Sequence, residues 1–313
     1  MNFDETIYHP TRNYDAYVYE MNAALDQKFE DIKPFLNQGG VIFDDGCGDG
    51  SLLRRVAHYL ADNWHEVRAV GVDGSREMIR RAMNREPVVT NDGLLVSTYF
   101  VRGHIQGYSL NMPEYKANTV IASSVLHEVW SYGAQEESVQ LYLQDKFDQL
   151  KPGGRLIIRD VVGPEEPDNL VRMRCNTENG NDRQQNPALL STHGLFELFL
   201  KTFKRDGYAV KARPSHPCGK WDLRLQDAAE FILKLPYTDQ WFAEMREEFC
   251  FWSFSRWCRE LADAGFKIVG GSKYYTNEWR ITNHFEDRVQ LFDLSGDPLP
   301  YPPTNMVLVG EKR

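Results

Sequence analysis

The stretch Val41-Ile42-Phe43-Asp44-Asp45-Gly46-Cys47-Gly48-Asp49-Gly50 limits what this chain can fold into more than any other segment. An apolar run that ends in acids and then places glycines at alternate positions predicts a buried strand turning sharply into a helix from about Ser51. Glycines admit positive φ and let a ligand approach the backbone, and the first amides of the helix are unpaired donors. A second unit follows the same plan. Ala69-Val70-Gly71-Val72-Asp73 predicts another strand ending in a carboxylate, placed to accept hydrogen bonds from ribose hydroxyls.

Spacing narrows the nucleotide. A dinucleotide turn reads Gly-x-Gly-x-x-Gly, whereas here the glycines fall at 46, 48 and 50, and the phosphate candidates Arg54 and Arg55 sit a full turn into the helix. From Asp44 to Gly50 the chain resembles the class I S-adenosylmethionine-dependent methyltransferases, whose loop reads acid-x-Gly-x-Gly-x-Gly. Four further stretches extend the resemblance: Asp73–Ile79, Phe100–Ile105, Thr119–Val129 and Leu150–Asp160. Together they cover about residues 39–163, in the family's order.

The resemblance implies residue roles. Asp44 anchors the methionine ammonium, and the backbone around Asp45-Gly46-Cys47 lies along the methionyl part, with Gly48 also in the cofactor-binding turn. Asp73 takes the ribose hydroxyls, with Gly74 and Met78 beside the adenine. His104 stands where the family usually carries Asp, so adenine recognition falls to a ring nitrogen, next to Ile105. Ser124, with Val125 and Leu126, flanks the sulfur. Asp45 stands where the family is usually apolar and either draws the ammonium or points to solvent, while Cys47 is a packing residue.

The chemistry implied is displacement at the sulfonium methyl by an O or N nucleophile, releasing S-adenosylhomocysteine. His127, after the fourth strand, is the candidate base, since an imidazole pKa near 6.5 suits proton removal at neutral pH. Glu128 and Tyr132 are candidate substrate-orienting groups, and Asp160 is a further polar candidate at the end of the fifth strand. The alternative for His127 is a ring that only satisfies a loop carbonyl. No Asn-Pro-Pro-Tyr or Asp-Pro-Pro-Tyr follows the fourth strand, which makes exocyclic base amines a less natural target.

Composition bounds the rest. A content of 42% hydrophobic residues in 313 fills a sizeable core. The net charge of −9 opposes bulk coating of nucleic acid. Five cysteines without Cys-x-x-Cys spacing favour neither disulfides nor zinc, and no metal is expected. No run is long and apolar enough for a membrane span, and Met1–Glu5 is charged, so a cytoplasmic protein without membrane partners is expected.

The expected architecture is α/β: a Rossmann-like, seven-stranded, mostly parallel sheet with helices on both faces and an antiparallel last strand. Residues 1–163 form an N-terminal helix (from Tyr14 to Leu36, with Tyr17, Met21, Leu25, Phe29, Ile32 and Phe35 at helical spacing) and the cofactor core. Residues 164–250 form a mainly helical lid or substrate subdomain, and 251–313 return to the core sheet. Within the insertion, Lys201, Lys204, Arg205, Lys211, Arg213, Lys220 and Arg224 against Asp206 and Asp222 form a basic stretch. It reads as a solvated face or as a surface for an anionic substrate, nucleic acid included. Tyr274–Glu286 reads equally as a pocket wall or a hairpin, and the aromatic 240–257 run as core or as an oligomer contact. A small-molecule acceptor is the favoured reading. The alternatives are a nucleic-acid or nucleotide substrate on 201–224, or a cofactor-binding scaffold without turnover.

Overall fold

The computed structural model describes residues 14–64, 66–106, 116–205, 208–215 and 219–313. Met1–Glu5, Asp206, Cys218 and the side chains of Tyr17, Met21, Lys204 and Arg205 lie outside the described set. The chain divides into two compact units. The first comprises 1–160, 258–273 and 307–313, and the second 161–257 and 274–306.

The first unit is built on the predicted strands: β1 (Gly40–Asp45), β2 (Val67–Asp73), β3 (Ser97–Arg102), β4 (Ala117–Ser123) and β5 (Leu150–Asp160). Two C-terminal strands join them, β6 (Phe266–Ile268) and β7 (Asn305–Lys312). The order is β6-β7-β5-β4-β1-β2-β3, and Lys273–Tyr275 pairs with β7 as an eighth strand where seven were expected. Pairings from β3 through β5 are parallel, and β6 with β7 is antiparallel. Parallel strands need covering on both faces, which is why β4 and the end of β5 are buried along nearly their whole length. The chain leaves β1 toward β2 on one side and returns to β4 on the other. That reversal opens the crevice in which doubly wound sheets bind ligands.

Helices follow the apolar periods. In α3 (Ser51–Trp64), Leu52, Leu53, Val56, Ala57, Leu60 and Ala61 are all buried, a stripe at the helical repeat. In α4 (Arg76–Met83), the Ser75 side chain caps the start by accepting from the Met78 amide at 3.2 Å. The single N-terminal helix expected from Tyr14 to Leu36 is three pieces: α1 (Tyr14–Ala23), α2 (Leu25–Ile32) and a 3-10 turn at Lys33–Phe35. Pro34, at the start of that turn, lacks the amide an α-helix would use. The core is completed by α5 (Leu126–Tyr132) and α6 (Glu136–Gln149). Gly265 follows the helix Phe254–Asp263 and ends it with φ of +97°.

The second unit is not mainly helical. It contains an antiparallel sheet in the order Pro298–Leu299, Val289–Phe292, Leu170–Cys175, Lys220–Arg224, Arg213–Ser215. Val171, Met173 and Cys175 alternate inward from one strand, Trp221 and Leu223 from another. They meet Phe196 and Phe199 of helix Thr192–Thr202 and Phe231 of helix Leu225–Lys234. This core draws on both 161–257 and 274–306, so the stretch 251–313 is not a simple return to the first sheet. Tyr274–Glu286 forms neither hairpin nor continuous strand; helical turns at Glu278–Arg280 and Ile281–Phe285 occupy most of it. Trp241, Trp252 and Trp257 are buried, so the aromatic run packs inward, with Phe242 left exposed.

Within the basic stretch Arg224 is ion-paired, and Asp222 is engaged by an arginine from the neighbouring strand. Arg224 is paired with Asp227 and Asp168, and Arg172 forms a two-pronged bridge to Asp222. Among the described residues no helix is long and apolar enough to cross a membrane.

Candidate active site

The turn after β1 has the geometry its glycines require. Gly46, Gly48 and Gly50 have φ of +74°, +53° and +75°. At Gly46 an added Cβ would come within 2.6 Å of Val125 Cγ2, so the side chain after β4 closes against the turn. The Gly48 amide donates to Asp73 Oδ2 at 2.8 Å, and the Ser75 amide to Oδ1 at 2.8 Å. One carboxylate therefore ties the glycine turn to the start of α4. Gly74 lies between those two anchors, and Met78 packs beneath them, buried.

Asp44 faces a cavity of about 30 Å³, lined by Asn22, Leu25, Lys28, Gly46, Cys47, Asp49, Ser51, Leu52 and Ser123. Among the described residues its Oδ2 has no hydrogen-bond partner, and neither does Ser123 Oγ across the crevice. Burial pushes the Asp44 carboxyl well above its ordinary range, with Asp45 and Asp73 adding to the rise and Lys28 opposing it. A buried acceptor left unsatisfied is costly, so this one marks where a cation or donor belongs. An ammonium fits both the charge and the space.

Asp49, a variable position of the glycine turn, belongs to this wall. It accepts from the Ser51 amide at 3.1 Å and from Asn22 at 3.2 Å, and is ion-paired with Arg85. Burial works against its ionisation, but those donors outweigh it and lower its pKa. Cys47 is buried against Gly71, and burial together with the surrounding carboxylates raises its thiol pKa strongly. It is a packing residue, as expected.

Two sequence readings are corrected. Asp45 points neither to solvent nor into the cavity: it is fully buried, accepts from Tyr142 at 2.9 Å and pairs with buried Lys146 at 3.0 Å. Arg54 and Arg55 do not face a ligand phosphate. Arg54 donates to the carbonyls of Ala82 and Glu86 and lies over the Phe100 ring, while Arg55 pairs with Asp26.

At the ends of β4 and β5 the polar groups converge. Ser124 takes a positive φ of +57°, unusual for a residue with a side chain, and its amide donates to Arg159 O at 2.7 Å. The chain then enters α5, whose first amides have no helical partners. Asp160 supplies them: its Oδ2 accepts from Val125 at 3.1 Å and Leu126 at 2.7 Å. Its Oδ1 lies 2.7 Å from His127 Nδ1. An ionised carboxylate only accepts, so Nδ1 carries a proton toward Asp160, and in the neutral ring the lone pair is then on Nε2. Glu128 and Tyr132, one turn apart on α5, are partly exposed. His104 is exposed beyond β3, and Ile105 beside it is half-buried, its carbonyl accepting from Lys146 at 2.6 Å.

The sheet order, the glycine turn and the paired acids define a Rossmann-like nucleotide-binding domain. A family model described as a methyltransferase domain matches residues 36–206, more than half of the chain. The chain belongs to that family, as an S-adenosylmethionine-dependent enzyme of the class I type. Among solved structures it is similar to an S-adenosylmethionine-dependent methyltransferase of Mesorhizobium loti, at 16% identity and a TM-score of 0.50, covering 92% of this chain and 100% of that one. It is also similar to a SAM-dependent methyltransferase of Methanosarcina mazei (14% identity, 90% and 96% coverage, TM-score 0.46) and to magnesium protoporphyrin IX methyltransferase of Synechocystis (13%, 93% and 79%, TM-score 0.44). At these identities the likeness is one of fold. A search of the curated proteins finds no match.

Proposed function

We propose that this enzyme methylates an O or N nucleophile of a small molecule, with His127 as the base that Asp160 orients. The observation that carries the reading is the buried His127–Asp160 pair at the carboxyl ends of β4 and β5. When bound, the cofactor supplies a methyl carbon made electrophilic by its sulfonium. Asp44 and the cavity around it, which Lys28 and Asn22 also line, would receive the methionyl ammonium. Asp73 takes the ribose hydroxyls, Gly74, Met78, His104 and Ile105 flank the adenine, and Ser124 lies near the sulfur. The Nε2 lone pair of His127 removes the acceptor's proton, and Glu128 and Tyr132 orient the acceptor. Displacement at a methyl group asks little else of the protein than alignment and exclusion of water.

The small-molecule reading is supported by the net charge of −9 and by the pairing of Arg172 and Arg224 with acids, which leaves less positive surface for a polyanion. Its test is transfer of labelled methyl from S-adenosylmethionine into a cell extract, fractionated into small molecules, nucleic acid and protein. Label in the small-molecule fraction supports it; label in nuclease-sensitive material contradicts it.

A further inference from the structure

Lys146 is fully buried in α6, and its ammonium holds two parts of the first unit that are far apart in sequence. It pairs with Asp45 at the end of β1, immediately before the glycine turn, at 3.0 Å. It also donates to the carbonyl of Ile105, in the loop after β3, at 2.6 Å. The Gln149 side chain accepts from it as well, at 3.2 Å. The same loop has a second tie to α6, since Gln106 Nε2 donates to Ser138 O at 2.5 Å. Its near end is fixed by the Gly103 amide on Asp73 O, at 3.0 Å. A buried ammonium is tolerated only when its partners are good, and a bare Ile105 carbonyl in that interior would be costly. An apolar filling of equal volume is often no less stable than a buried ion pair, so core packing alone does not account for the cluster.

We infer that Lys146 is a positioning residue for the cofactor site, fixing the loop Gly103–Gln106 against the end of β1 so that the adenine end of the site keeps its shape. This rests on the methyltransferase reading above. The ammonium touches neither cofactor nor acceptor; it acts through the Ile105 carbonyl. Asp45 and Asp145, each 3.0 Å from the ammonium, serve as its counter-ions, and Tyr142 donates to the Asp45 carboxylate from the same helix.

The test is calorimetric titration of adenosine and of S-adenosylhomocysteine into wild type, Lys146→Met, Asp45→Asn and Gln106→Ala, each checked for folding by circular dichroism. Lys146→Met is expected to weaken both ligands by about tenfold, as loss of a charged hydrogen bond implies. Asp45→Asn weakens the β1 end of the same tie and is expected to lower adenosine affinity by less than Lys146→Met does, since the amide oxygen still accepts from Lys146. Gln106→Ala, at a half-buried position, is expected to weaken adenosine by about threefold even if the Lys146→Met protein does not fold. A folded Lys146→Met with wild-type adenosine affinity overturns the inference. So does an unchanged Gln106→Ala. Wild type that binds neither ligand overturns the cofactor reading itself, and the inference with it.

Discussion

Asp160 holds His127 twice over: its Oδ1 lies 2.7 Å from His127 Nδ1, while its Oδ2 accepts the amides that begin the helix carrying that histidine. One carboxylate thus sets the ring's tautomer and the position of its backbone. Replacing it with Asn keeps one oxygen for the amides and turns an NH₂ toward Nδ1, which moves the ring proton to Nε2. Asp160→Asn is therefore expected to lower kcat by about 10²–10⁴ with cofactor affinity changed by no more than about threefold. Parallel titration and turnover measurements check it, and an equal loss in both would contradict it.

His127→Ala removes the base without touching the Asp73 or Asp44 anchors. Turnover is expected to fall by about 10²–10⁴ while S-adenosylhomocysteine binds as to wild type. Unchanged turnover would assign His127 to the structural role of holding Asp160 alone.

Asp44 predicts a pH dependence with a definite sign. Its folded pKa lies well above the ordinary value of 3.8, so over that window the folded protein binds a proton that the unfolded chain has lost. Stability contributed by this group therefore falls as pH rises and is lowest once the carboxyl has ionised. An ammonium beside it favours the ionised form, so cofactor binding releases a proton and affinity rises with pH through the same window. Asp44→Asn is expected to raise the Tm of the cofactor-free protein at neutral pH and to weaken binding by at least about tenfold. A pH-independent Kd in wild type would contradict the assignment.

Gly46→Ala tests the turn. At φ of +74° and with Val125 Cγ2 at 2.6 Å from the new Cβ, the substitution is strained and crowded together. A loss of about 1–3 kcal/mol in stability is expected, read by denaturant titration.

What the sequence revealed and what it hid have the same physical origin. Asp44, the glycines and Asp73 were legible because a turn's conformational demands fall on adjacent residues. Asp45 was misread because its partners Tyr142 and Lys146 come from α6, the first of them 97 residues away, and no local pattern announces a buried ion pair. Asp160 could be named from its strand but not its double task, which depends on where α5 begins. The second unit's sheet was hidden in runs such as Lys220–Arg224, where only Trp221 and Leu223 turn inward and the charged residues between them read as a basic surface. Asn22, which no motif marks, and Asp49, a variable position of the glycine turn, became visible only as walls of the cavity.

Calorimetric titration of S-adenosylmethionine into wild type and Asp73→Ala decides whether the turns after β1 and β2 hold this cofactor. One site per chain is expected in wild type, with a loss of at least about tenfold in the variant, since Asp73 both faces the ribose and anchors the Gly48 amide. Equal affinity in the two proteins, or no binding to wild type, would contradict that assignment.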